Sequence, residues 1–403
     1  MKSQRPILFE GVNRNILTLS FARFADALGN SLMFVLLPLY ITSLPSPNLR
    51  WPEAILVSVT LSLYGVVNTI LQPLVGILTD RVGRRKPMIL VGLLIMGLGT
   101  GAFTIARTFS DLLIIRLLQG IGVALTVPAS LAIINSSSVK TSRGRSMGFY
   151  STLRLIGFAI GPLLGGWLHL RFGFTTAFYV GAGVTLLGSA AVQVWVKEPP
   201  REPAEKAPDQ TPLAVFDPEI WNKSIITLGA AMLMMASAYS MMSALENEFN
   251  ARLQQTALGF GVAFSALTVS RMIVQTPLGY LSDKIGRKPL IVSGMILMAP
   301  ATVWLGLVGS TLELTAARAV QGITSAAVSS PAFALVGDLA AKEGEGRQMS
   351  IITTGFFLGI AIGPLIAGFM SQIAFYLPFL IGGVMLLIGA GIVQLFVPET
   401  HQP

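Results

Sequence analysis

Gly76-Ile77-Leu78-Thr79-Asp80-Arg81-Val82-Gly83-Arg84-Arg85-Lys86-Pro87 recurs in the second half of the chain as Gly279-Tyr280-Leu281-Ser282-Asp283-Lys284-Ile285-Gly286-Arg287-Lys288-Pro289, one residue shorter. Arg116-Leu117-Leu118-Gln119-Gly120 recurs as Arg318-Ala319-Val320-Gln321-Gly322, and Gly157-Phe158-Ala159-Ile160-Gly161-Pro162 as Gly359-Ile360-Ala361-Ile362-Gly363-Pro364. Three matches near one offset, each beside or within a long apolar run, point to duplication of a single unit.

The unit is built for lipid. The 403-residue chain is 53% hydrophobic and only 12% charged, too little charge to cover a soluble surface of this size. Apolar runs of roughly 20 residues, enough to cross about 30 Å of hydrocarbon as helices, recur between polar punctuation. They fall at 15–42, 54–78, 87–107, 111–134, 147–169, 175–196, 222–246, 257–281, 290–309, 312–337, 349–371 and 375–397. The expected fold is all-α: twelve transmembrane helices in two pseudo-symmetric six-helix bundles, 1–197 and 222–403. The Pro-rich stretch 198–221 cannot continue a helix and reads as a cytoplasmic linker.

Twelve spans put both termini on one side. Most loop Lys and Arg residues lie on that side, and Arg50, Arg107, Arg171 and Arg252 lie opposite, so the termini are expected to be cytoplasmic. The first run carries Arg23 and Asp26 and lacks a cleavage pattern, so it is read as a retained span of a multi-pass plasma membrane protein, in a bacterial or archaeal cytoplasmic membrane. The net charge of +9 is explained by this topology and not by nucleic acid. There is no cysteine, and the histidines, His169 and His401, are far apart, so no metal site or cofactor is expected.

At these residues the sequence resembles the major facilitator superfamily, over essentially its whole length. The resemblance implies that Gly76, Asp80, Arg81, Gly83 and Arg84, with Asp283, Gly286 and Arg287 in the repeat, form a cytoplasmic latch between the halves. Topology accounts for the positive charge of this loop but not for Asp80 or Gly83. Gly157-x-x-x-Gly161-Pro162-x-x-Gly165-Gly166 resembles a motif of the 12-span drug:proton antiporter branch; its copy keeps Gly363 and Pro364 but has Ala367 in place of a glycine. The small residues equally suit close helix packing, and the prolines a bend.

A charge deep in hydrocarbon costs at least about 2.5 kcal/mol, so each one needs a partner or a function. Asp26 is the one acid expected near mid-membrane, roughly 16 Å along the first helix. Arg23, three residues earlier, is within reach of it, and Arg154 enters its own span to a comparable depth. Burial favours the neutral acid and a nearby arginine favours the carboxylate, so a change of state can load or unload a proton. Asp26 is therefore the expected proton-coupling group, with Arg23, Arg116 and Arg154 modulating it; a permanent structural ion pair remains the alternative. The resemblance also implicates Arg116, which shares a helix face with Gln119. Asn30, Phe34, Tyr64, Asn68, Gln72 and Gln119 from the first half are candidates for lining a midplane cavity, with Tyr150, Tyr239, Arg271 and Gln275. Arg271 lies mid-span without a counterpart in the first half and is a candidate to bind an anionic group, or Glu246 across the cavity.

No Gly-x-x-x-x-Gly-Lys-Ser/Thr, His-Glu-x-x-His or Gly-x-Ser-x-Gly pattern occurs, and Gly97-x-Gly99-x-Gly101 lies inside an apolar span, so an ATP-driven pump or an enzyme is not expected. The expected function is proton-coupled efflux of amphipathic small molecules by alternating access, with H+ the coupling ion and the chain acting as a monomer among membrane lipids. An importer or lipid translocator on the same scaffold, and a non-transporting membrane sensor or scaffold, are the alternatives.

Overall fold

Apolar runs that must satisfy every backbone polar group without water form helices, and helices account for nearly all of the structure. It is a computed structural model and describes residues 13–44, 51–138, 142–198, 222–339 and 345–399, with side chains at all of these except 80, 81 and 345–347. The linker lies outside the described residues from 199 onward.

The first half contains α1 (Arg14–Ser43), α2 (Glu53–Val82), α3 (Arg85–Ala102), α4 (Phe109–Ser137) and α5 (Arg143–Trp195). The second contains α6 (Lys223–Ser240), α7 (Glu246–Leu253), α8 (Ala257–Ile285), α9 (Arg287–Leu305), α10 (Thr311–Leu339), α11 (Glu345–Met370) and α12 (Leu377–Phe396). All but the short α7 are long and apolar enough to cross a membrane. The 53-residue α5 holds two of the expected spans, joined at Gly173, where φ is 78°.

The expected run 222–246 is not one helix. α6 ends at Ser240, a 3-10 turn follows over Met241–Ala244, and α7 starts afresh at Glu246. Hydropathy does not register this break, because the 3-10 residues are as apolar as the helix before them.

The two halves are built alike. Gly83 (φ 67°) ends α2 and Gly286 (φ 99°) ends α8, both in backbone conformations that side chains resist. Just beyond them, the Glu198 carboxylate accepts from the backbone N–H groups of Arg85 (2.7 Å) and Lys86 (2.9 Å). Glu399 does the same for Arg287 (3.3 Å) and Lys288 (3.0 Å). Each carboxylate closes the otherwise unpaired N-terminus of a span and brings the end of its half back to that turn.

Within the halves, α1 packs on α5 and α6 on α11; between them, α2 packs on α11 and α5 on α8. The glycine motifs serve both contacts. A Cβ at Gly161 would lie 2.8 Å from the Leu28 carbonyl oxygen of α1, and one at Gly166 would lie 2.7 Å from the Ala257 carbonyl oxygen of α8. The same surface of α11 puts Gly363 against Ser237 of α6 and Gly368 against Ala54 and Ser58 of α2.

The core is shared at one end and divided at the other. One apolar cluster joins Leu32, Leu36 and Phe103 of the first half to Met241, Phe249 and Phe260 of the second. Two others, around Ile16, Ile89 and Ile133 and around Ile225, Ile291 and Val336, each belong to a single half and lie toward the ends that carry residues 13 and 399. We call these the terminus side, and the shared end the far side.

Candidate functional site: a cleft between the halves

Tracing one helix face shows where the halves part. Residues 58, 65, 72 and 76 of α2 share a face. At its far-side end Ser58 meets Gly368 and Gly65 meets Ala361, but a Cβ at Gly76 would find nothing within 4 Å. On α5, Pro162 and Gly166 touch α8, whereas Gly148 and Gly144, on the same face nearer the terminus side, have open space. A wedge-shaped cleft therefore lies between the halves, closed on the far side and open on the terminus side.

Polar groups line and underlie this cleft. Asp26 is 2% exposed, and its Oδ2 accepts from Arg23 at 2.6 Å; its Oδ1 has no hydrogen-bond donor. Tyr64, Tyr150 and Arg154 lie within electrostatic reach of the pair. Arg154 itself lies between the rings of Phe158 on α5 (5.2 Å) and Phe357 on α11 (5.8 Å), and so faces both halves.

Behind the cleft are two matching relays. Arg116 donates to Gln119 (3.2 Å), whose amide donates to Thr100 (3.0 Å). Arg318 donates to Gln321 (2.8 Å), whose amide donates to Thr302 (2.9 Å). Arg116 also reaches Asn30 Oδ1 at 3.5 Å and lies over the Tyr64 ring, and Arg318 donates to the Tyr239 carbonyl at 2.8 Å. The relays hold two guanidinium groups with neutral acceptors, the usual way to bury an arginine without a carboxylate.

Phe34 stacks on Phe264 across the halves at 5.1 Å and floors the cleft. Asn68 is buried, and its Oδ1 has no donor. Gln72 and Gln275 are half-buried. Arg271 donates to Ser329 (3.1 Å) and lies within hydrogen-bonding reach of the Tyr239 hydroxyl. It does not pair with Glu246, which α7 carries to the far side, where Asn250 is its hydrogen-bond donor at 3.5 Å.

The latch residues sit at the open mouth of the cleft. Arg287 pairs with Asp338 (2.5 Å) and Asp283 (3.7 Å), all in the second half; Arg84 is exposed; the side chains of Asp80 and Arg81 lie outside those described. At the far side Asn247 of α7 donates to the Pro38 carbonyl (2.9 Å) and to the Glu53 carboxylate, tying the halves together.

Burial without a cation pushes the Glu246 carboxyl well above the usual carboxylate range. An acid raised on folding supports stability below its ordinary pKa, and that support is lost as pH rises toward the raised value, by about 1.4 kcal/mol per pH unit. Glu246→Gln keeps the neutral shape. It is expected to melt above the wild type at pH 8 and with it near pH 4.5; a constant difference across pH would refute the assignment.

Glu198, Glu399, Asn247, Thr100 and Thr302 are absent from the sequence reading. The first two had a signal: Val196-Lys197-Glu198 and Val397-Pro398-Glu399 stand near the same offset as the other repeats.

The model of the Major Facilitator Superfamily matches residues 19–272 and again 225–403. The chain belongs to this family, whose members are multi-pass membrane transporters and not enzymes. It is 31% identical to the synaptic vesicular amine transporter of Bos taurus over 318 residues, 76% of this chain but 59% of that relative's length. It is 25% identical to an uncharacterized MFS-type transporter of Methanocaldococcus jannaschii, over 90% of this chain and 92% of that one. Among solved structures, a bacterial homologue of the human lysosomal transporter Spinster, in an inward-facing and occupied conformation, superposes with a TM-score of 0.79 at 15% identity, covering 94% of this chain and 95% of that one. A POT family transporter gives a TM-score of 0.81 at 15% identity, over 96% of both chains. These two likenesses establish the fold.

Proposed function

We propose that this chain is a proton-coupled secondary transporter that moves amphipathic small molecules by alternating access, with Asp26 as the proton carrier. The observation that carries this reading is a buried acid, held by one arginine and within reach of a second, beside a cleft open to one side only. Rocking the halves about an axis near the floor of the cleft would close the terminus side and part the far-side contacts, changing which side exchanges protons with Asp26.

Efflux by antiport is the sense supported by the α5 glycine motif, and the named amine transporters are consistent with it. A cationic solute competes with the proton for the Asp26 charge and so travels against it. Proton-coupled uptake on the same scaffold is the second reading, favoured by one observation: among the described residues, four of the five intramembrane arginines have no carboxylate partner. The Lys and Arg distribution supports a cytoplasmic terminus side. One chain supplies both walls of the cleft, which supports action as a monomer.

The test is the full chain in proteoliposomes with a pH-sensitive dye inside. Solute-dependent proton movement is expected, and its sign under an imposed pH gradient separates antiport from symport. Its absence across cations, anions, sugars and lipids would leave a sensor or scaffold.

A further inference from the structure

Three guanidinium groups converge on one tyrosine. Tyr239 of α6 lies within electrostatic reach of Arg154 on α5, Arg271 on α8 and Arg318 on α10. We propose that Arg154 and Arg271, backed by Arg318, form a binding site for the oxyanion head, carboxylate or phosphate, of an amphipathic solute. This rests on the reading of the cleft as the solute pathway.

The charge balance is the first ground. Asp26 is engaged by Arg23 at 2.6 Å. Among the described residues Arg154 has no hydrogen-bond acceptor, only the faces of Phe158 and Phe357. Arg271 has the Ser329 and Tyr239 hydroxyls, and Arg318 has a carbonyl and an amide, with its second terminal nitrogen buried and unpartnered. Asp26 is within electrostatic but not hydrogen-bonding reach of Arg154.

Geometry is the second ground. Arg154 stands on one half and Arg271 on the other, so an anion between them bridges the cleft. A guanidinium fork suits the two oxygens of a carboxylate or phosphate. Phe158, Phe357 and Phe356, which lie beside the arginines, offer walls for an apolar body.

A consequence follows for the cycle. While the cleft is open, water solvates Arg154 and Arg271; closing it strips that water from two like charges. A bound anion removes the penalty, so the halves close on a loaded site more readily than on an empty one. An anion beside Arg154 also favours a proton on Asp26, so this solute and the proton move together, which is the symport sense of the second reading above and not the antiport of a cationic solute.

The test uses four solutes with one apolar body: biphenyl-4-carboxylate, biphenyl-4-yl phosphate, biphenyl-4-methylammonium and biphenyl-4-methanol. Binding to the purified full chain is measured by quenching of its tryptophan fluorescence, and proton movement in proteoliposomes by internal dye. At least one anion is expected to bind about tenfold tighter than the ammonium, with the stronger anion naming the head group. Arg154→Gln and Arg271→Gln are each expected to lose that preference, while Arg154→Lys, which keeps the charge and guards against misfolding, retains part of it. Equal binding of all four heads, no binding of either anion at millimolar concentration, or an anion preference that survives both glutamine variants overturns the site. Proton movement with the ammonium alone overturns the site and leaves the transporter reading standing. Anion binding with no proton movement for any head overturns the transporter reading and leaves the site.

Discussion

Asp26→Asn is expected to abolish transport driven by a pH gradient, by a factor of at least about one hundred, while solute exchange without a gradient persists. The factor corresponds to about 2.7 kcal/mol of lost coupling. Asparagine matches the shape of the acid, and its amide oxygen can still accept from Arg23, which now reaches Asp26 Oδ2 at 2.6 Å. What it lacks is a second protonation state. A carrier that never loads a proton still rocks with solute bound, so exchange of labelled for unlabelled solute continues across the membrane. Removing the negative charge also leaves Arg23 buried without its counterion, so folded protein must be verified by its melting curve. Gradient-driven transport at the wild-type rate in a folded variant would show the pair to be structural.

The second large effect concerns the contact that closes the far side. Leucine at Gly368 is expected to move the population from the present state, open on the terminus side, to one open on the far side. A Cβ there would lie 2.6 Å from both the Ala54 carbonyl oxygen and the Ser58 Cβ of α2, so the wedge acts on backbone that cannot rotate away. Overpacking of this kind costs about 1–3 kcal/mol, and the upper end shifts a two-state ratio by roughly 150-fold. The chain contains no cysteine, so Gln72→Cys alone serves as a cleft reporter. Its labelling from the terminus side should slow at least about tenfold in the leucine variant. Gly76→Leu, placed where the present state has open space, should resist closure there and leave the reporter reactive. Equal labelling of both variants would show that the α2–α11 contact does not hold the far side closed.

Hydropathy and the repeated motifs were enough to predict the helical spans, because length and apolar content are local properties. The pairing of Arg23 with Asp26 and of Arg116 with Gln119 was also legible, since a spacing of three residues puts side chains on one helix face. What was not legible depends on how faces meet. Periodicity says that Arg154, Arg271 and Arg318 lie in their spans, but only the packing of α5 on α8 and of α10 on both α8 and α6 brings them within electrostatic reach of Tyr239. The same holds for Glu246, which lies at the end of an apolar run and therefore read as a cavity group. A 3-10 turn over four apolar residues carries it onto α7, where Asn247 ties down the far side. Glu198 and Glu399 were missed because they follow the last hydrophobic residue of each half, where charges usually mean only solvent.

The apolar seal on the far side, with Phe34 stacked on Phe264 at its inner face, has an electrical consequence. Water in the open cleft conducts, so the membrane voltage falls mainly across that thin seal and hardly along the cleft. A charge at the depth of Asp26 then sits at nearly the potential of the terminus-side solution, although it lies inside the bilayer. When the halves rock, the seal re-forms on the other side of the same residue and the potential there changes by almost the full voltage. In the proposed cycle each proton carried would thus be worth close to the whole of about 2.3 kcal/mol per 100 mV. Turnover should respond to voltage as if a unit charge crossed the entire membrane, though Asp26 need travel only a few ångströms.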